Sequence, residues 1–193
     1  SFKLRGKMLK KILLAILFFF ISTLTLHAQT LEGQVTYTVD TARVAAFEGI
    51  NKKIDMTQFE NHQQDPNRTE NMKALETGSS FKDRCVQYFK GMPLKAYAVN
   101  YYDNPKYTYY YPKFTNQLAF VDIDESNGRT GTKFPFRTLR YDFRGRLIAV
   151  GIYVSPEERF LYKQNGKLIS HWIGNYGYNA RGRQVGEIEG AEY

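Results

Sequence analysis

Side chains able to carry acid–base or nucleophilic chemistry are sparse after residue 28: two histidines, His62 and His171, and one thiol, Cys85. A Cys–His pair needs an activated thiolate, and neighbouring Arg84 alone gives little activation. The segment Phe81-Lys-Asp-Arg-Cys85-Val-Gln-Tyr-Phe89 alternates, which makes Cys85 a strand residue behaving as a small buried hydrophobe. No Gly-x-Ser-x-Gly, His-Glu-x-x-His or phosphate-cradling glycine loop occurs. Asp122-Ile-Asp124-Glu125-Ser126-Asn127-Gly128 places oxygen ligands at alternate positions, as a calcium loop does. Its glycine is seventh rather than sixth, however, and Lys133 stands where a bidentate Glu is needed. A turn between strands accounts for Ser-Asn-Gly. No catalytic residue, metal site or cofactor is expected. A hydrolase using Asp122, Asp124 and Glu125 or His171 is the competing reading, and it requires those groups to converge in one cleft.

Recognition chemistry is better represented. Tyr107, Tyr109 and Tyr111 in Tyr-Thr-Tyr-Tyr-Tyr-Pro112, and His171, Trp172 and Tyr176 in His-Trp-Ile-Gly-Asn-Tyr, combine apolar faces with polar edges suited to a glycan or peptide. These six are the candidate ligand-binding residues. In an antiparallel sheet the same aromatics also pack the core or pair across strands.

The elements that must position them are legible in part. Gly33-Gln-Val-Thr-Tyr-Thr-Val39 alternates and predicts a half-buried strand. Thr41 can cap a short helix through Phe47 that Gly49 closes. Asp65-Pro66 predicts a helix start, Asp at the N-cap and Pro at the first position, running through Met72, Ala74 and Leu75 to Gly78. Between them, Ile54, Met56 and Phe59 fit strand or helix. From about Phe81 the pattern becomes short aromatic strands broken by Gly, Asn, Asp and Pro.

The last third repeats itself. Tyr141-Asp142-Phe-Arg-Gly145-Arg-Leu147 recurs as Tyr162-Lys-Gln-Asn165-Gly166-Lys-Leu168, and again as Tyr178-Asn179-Ala-Arg-Gly182-Arg-Gln-Val185. Asp or Asn opens a turn by accepting backbone N–H groups, and Gly takes the left-handed position from which the return strand starts. Chained hairpins of this kind make an antiparallel meander. These residues resemble the YD repeat of Rhs-type secreted bacterial proteins over about residues 139–185, with only the first unit matching fully. The resemblance implies hairpin architecture on an exported protein. Three units are too few to wall a shell, so the shell function of large Rhs proteins does not carry over. A looser echo at Tyr111-Pro-Lys-Phe-Thr-Asn-Gln-Leu118 starts the meander before residue 120.

At the other end, Met8-Leu-Lys-Lys precedes an apolar run to Ile21, and Ser22-Thr-Leu-Thr-Leu-His-Ala28 grades into polar residues. This is the order of a bacterial secretory signal cleaved after Ala28, with Met8 as the start. The 15 residues from Ile12 to Leu26 fall short of the roughly 20 needed to span a bilayer. Residues 1–28 hold five basic residues and no acid. The overall charge of +8 therefore falls to +3 for residues 29–193, too little to argue for nucleic acid. With one Cys after the leader, no intrachain disulfide is possible.

The expectation is thus an α+β, mainly antiparallel β protein. A signal peptide (1–28) precedes a single domain (29–193), in which a mixed strand and helix part (29–80) leads into a hairpin meander (81–193). Functionally it reads as a non-catalytic exported protein, periplasmic, cell-surface or secreted, that binds or scaffolds through an aromatic-rich sheet. Its partner would be a protein or glycan at the envelope, with no membrane attachment once the leader is cleaved. An immunity-type partner of a secreted toxin is a further alternative.

Overall fold

Beyond Asp83 the chain alternates between two sets of side chains, and each set must find its own apolar environment. The computed structural model describes residues 47–90, 95–126 and 133–190. The strand expected at 33–39, the leader and the helix start at Thr41 lie outside the described residues. Ten strands follow one another: β1 Arg84–Lys90, β2 Ala96–Tyr101, β3 Tyr107–Pro112, β4 Phe120–Asp124, β5 Phe136–Asp142, β6 Leu147–Tyr153, β7 Glu158–Lys163, β8 Leu168–Ile173, β9 Tyr176–Tyr178 and β10 Gln184–Gly190. Each pairs antiparallel with its neighbours, and β10 returns to β1 with Gln87 opposite Gly190 and Lys90 opposite Glu187. The meander therefore closes into a barrel and leaves no free sheet edge.

Closure gives the two faces different tasks. The outer face carries Val86, Tyr97, Val99, Tyr109, Tyr111, Val121, Leu139, Tyr141, Val150 and Ile152, all buried. They are covered by an N-terminal layer that contributes Phe47, Ile50, Ile54, Met56, Phe59, Met72 and Leu75. The main apolar core thus lies outside the barrel, between wall and layer. Tyrosine suits this position because its ring packs on the wall while its hydroxyl reaches the layer. Tyr97 donates to Asp65 Oδ2 at 2.6 Å, Tyr111 to the His62 carbonyl at 3.0 Å and Tyr141 to the Asn51 carbonyl at 2.8 Å.

Within the layer, of Ile54, Met56 and Phe59, which fit either element by sequence, Phe59 lies in a 3-10 helix, Thr57–His62, edge-on to Tyr107 and Tyr109, while Met56 is the N-cap and Ile54 precedes it. The expected second helix forms as α1, Arg68–Thr77, and Gly78 closes it at φ 69°. Its start corrects the expectation. Asn67, not Asp65, is the N-cap, and neither supplies a side-chain cap. The Asp65 carboxylate is instead buried and shared among the Asn67 N–H, the Asn71 amide and the Tyr97 hydroxyl. A buried carboxylate gains more from three donors, one on β2, than from one helix terminus. Asn71 passes the network on by accepting from Arg84 Nε at 2.8 Å, and Arg84 also pairs with Glu70 and Asp83.

The three repeated segments form the β5–β6, β7–β8 and β9–β10 turns. Gly145, Gly166 and Gly182 have φ of 75°, 77° and 71°, and each hairpin carries a register shift beside its turn. Asp142 Oδ1 accepts the N–H groups of Arg144 and Arg146, and Asn179 Oδ1 accepts those of Arg181 and Arg183. In the second unit Lys163 replaces the acceptor, and Asn165 receives only the Lys167 N–H. Among the described residues, the first unit is the one held by backbone bonds to the N-terminal layer: Ile54 N donates to the Gly145 carbonyl, and Leu147 N to the Lys52 carbonyl.

Candidate functional site

Inside the barrel the strands place small residues beside a few large or charged ones. Ala96, Ala149 and Gly151 withdraw from the axis, and a cavity of about 290 Å³ opens between them and the larger inward side chains. Residues from every strand between β1 and β8 line it, which only the concave side of a closed sheet can achieve. Gly151 matters for its size. A Cβ there would stand 2.3 Å from Thr138 Oγ1 on the adjacent strand.

The apolar wall is aromatic. Phe89 meets Trp172 edge-on with centroids 5.8 Å apart, Phe89 and Tyr110 are 5.5 Å apart, and Tyr110 and Phe120 are 4.5 Å apart. Trp172 is held firmly. Its Nε1 donates to Ser170 Oγ at 3.0 Å, and its indole covers Gly177, where a Cβ would come within 2.7 Å of the ring. A glycine paired opposite a large aromatic is thus required by close approach.

Two guanidinium groups enter this space. Arg140 donates from Nε and Nη2 to the two oxygens of Asp122, at 2.6 and 2.7 Å, and lies over the rings of Tyr110 and Phe120. Burial works against its charge, but Asp122 outweighs that and holds Arg140 above the ordinary arginine range. Arg159 is arranged differently. It lies over Trp172 at 5.1 Å and Tyr153 at 5.6 Å, and donates from Nη1 to the Tyr153 hydroxyl at 2.7 Å. No carboxylate among the described residues forms an ion pair with it, and its remaining N–H groups have no acceptor there. The Tyr110 hydroxyl also has no hydrogen-bond partner among the described residues. Burial, reinforced by Asp122, raises the Tyr110 pKa against the pull of Arg140 and Arg159, so the phenol stays a donor.

A second space of about 460 Å³ adjoins the first and shares Tyr110, Tyr153 and Arg159 with it. It is more polar, lined by Cys85, Gln87, Asn100, Thr108, Asp124, Glu157 and Glu158.

Of the six residues singled out by sequence, the fold brings only Trp172 into the cavity. Tyr109 and Tyr111 are buried on the outer face beneath the layer, with Tyr107 half-buried beside them. His171 is on the outer face of β8, stacked on Phe160 and 2.7 Å from Glu158 Oε1. Tyr176 is exposed. They share no platform. The groups considered for catalysis separate in the same way. Asp122 is engaged by Arg140, Glu125 pairs with Arg137, and His171 bonds through Nε2 only to Glu158, with no hydroxyl or thiol on its other nitrogen among the described residues. Arg140, in a stretch rich in arginine, is inside the barrel beside Asp122.

The sequence reading missed Arg140, Arg159, Tyr110, Tyr153, Phe89 and Phe120 as a set. One signal was present. In Arg159-Phe-Leu-Tyr162 the basic residue shares a face with Leu161, an unfavourable arrangement unless that face holds a polar partner. Comparison with family models, curated proteins and solved structures found no match.

Proposed function

We propose that this protein is an exported, non-catalytic binding protein whose recognition surface is the inner aromatic face of its barrel, which takes a small, largely apolar molecule. The observation that carries the reading is the cavity itself, about 290 Å³, walled by aromatics and bordered by a few polar groups. Sites for small ligands are concave, mostly apolar and furnished with a small number of oriented polar groups, typically from roughly 300 Å³ upward. Export is supported by the lysine-led apolar leader of residues 8–28. The hairpin repeats supply closely spaced turns, and their resemblance to YD units accords with an extracytoplasmic protein. The scattered positions of Asp122, Glu125 and His171 favour holding a molecule over transforming one.

The test is titration with a neutral apolar fluorophore, N-phenylnaphthylamine, against the purified protein and its Ala149→Phe variant. Ala149 lines the cavity, and a phenyl ring there obstructs it. Saturable binding by the wild type and its loss in the folded variant is the expected result. Equal binding by both places the probe elsewhere and defeats the reading.

A further inference from the structure

Building on the ligand cavity just proposed, we infer that its ligand is an amphipathic anion, a carboxylate on an apolar chain, whose head sits on Arg159 where the two internal spaces meet. Three observations converge. Arg159 is the one inward guanidinium without a carboxylate partner among the described residues; Arg140, by contrast, has both oxygens of Asp122. The charges lining the first cavity, Asp122, Arg140 and Arg159, therefore sum to one uncompensated positive charge. A half-buried guanidinium with free N–H donors gains from pairing with an anion.

The second observation is orientation. Tyr153 takes one guanidinium N–H and the Trp172 ring supports the Arg159 plane, so the group is fixed and its free N–H donors are left for a planar acceptor. Tyr110 adds a hydroxyl with no partner of its own among the described residues. The third is polarity along the lumen. Beyond Arg159 the first cavity runs among Phe89, Phe120, Ile148 and Ile169, which suit an alkyl chain. In the other direction the wall bears Asp124, Glu157 and Glu158, which repel an anion moving past Arg159. The carboxylate stops at the arginine and the tail occupies the aromatic end.

The experiment compares decanoate, decanol and decylammonium as displacers of bound N-phenylnaphthylamine at neutral pH, in the wild type, Arg159→Met and Arg159→Lys. In the wild type, decanoate should compete about tenfold or more better than decanol, as a charged hydrogen-bonded pair warrants. Decylammonium should compete worst. Arg159→Met should abolish the preference while still binding the neutral probe, and Arg159→Lys should keep part of it. Equal competition by decanoate and decanol in a wild type that binds the probe overturns the anion inference and leaves the cavity reading standing. Failure of the wild type to bind the probe removes the cavity reading and this inference together. A folded Arg159→Met that retains the full preference also overturns it.

Discussion

The two faces of this barrel wall are made from the same residue types and do opposite work. The outer face buries Val99, Val121, Val150 and Ile152 almost completely, and its tyrosines Tyr97, Tyr111 and Tyr141 each bond to the N-terminal layer. The inner face keeps small residues, two guanidinium groups and open volume. The difference teaches where stability and recognition are separated. Filled, satisfied surfaces hold the fold, whereas a surface left partly empty and with unmatched charge is shaped for something else. A barrel whose core is external can tolerate a hollow interior.

The sharpest way to break this contrast is to cut into the outer face. Tyr97→Ala removes a fully buried ring and an acceptor's partner, and should cost about 3–5 kcal/mol in urea denaturation. Tyr97→Phe keeps the ring, leaves Asp65 one donor short, and should cost about 1–3 kcal/mol. If either were neutral, the layer would not be held as described.

Next come two turns with the same backbone angle and different surroundings. Gly145→Ala forces a Cβ to within 2.2 Å of the Ile54 carbonyl oxygen at φ 75°; at Gly166, φ 77°, nothing lies within 4 Å. Both variants carry the left-handed penalty of about 1–2 kcal/mol. Only Gly145→Ala should lose more than that in thermal unfolding. Equal losses would mean that the layer does not clamp the first hairpin.

Smaller still is an acid-dependent effect. Asp142 is buried, which opposes its ionisation, yet the backbone N–H and guanidinium of Arg146 and the N–H of Arg144 hold it below the ordinary 3.8. A carboxyl group depressed in the folded state stabilises fully above its unfolded value. That contribution fades as pH falls below 3.8 towards the folded pKa. Asp142→Asn, which imitates the third unit, should lose about 1 kcal/mol at neutral pH. It should also show a flatter stability decline below pH 3.8. An unchanged acid limb would contradict the assignment.

The smallest expected change in stability is on the inner face. Arg159→Met should alter unfolding by no more than about 1 kcal/mol, because the half-buried guanidinium gives up one hydrogen bond, to the Tyr153 hydroxyl. A large loss would make Arg159 a structural residue like Arg84.

What the sequence disclosed was local. The three turns could be read because Asp142, Asn179 and the glycines act on backbone within a few residues, and Gly78 closes α1 for the same reason. Alternation showed that each strand has two faces. It did not show which face becomes the interior, because Tyr109 and Tyr110 are equally aromatic and the answer depends on β10 reaching β1 across the whole meander. Asp65 was misread as a cap because its partner Tyr97 is 32 residues away. The inward place of Arg140 was not legible, because its partner Asp122 stands beside it only across the β4–β5 pairing.

One measurement bears most directly on the division of labour between the faces. The chain has a single tryptophan, Trp172, and it lines the cavity. Energy transfer from Trp172 to bound N-phenylnaphthylamine should be efficient and saturate at one probe per protein. Probe binding without quenching of Trp172 emission would place the ligand away from the interior and contradict the account.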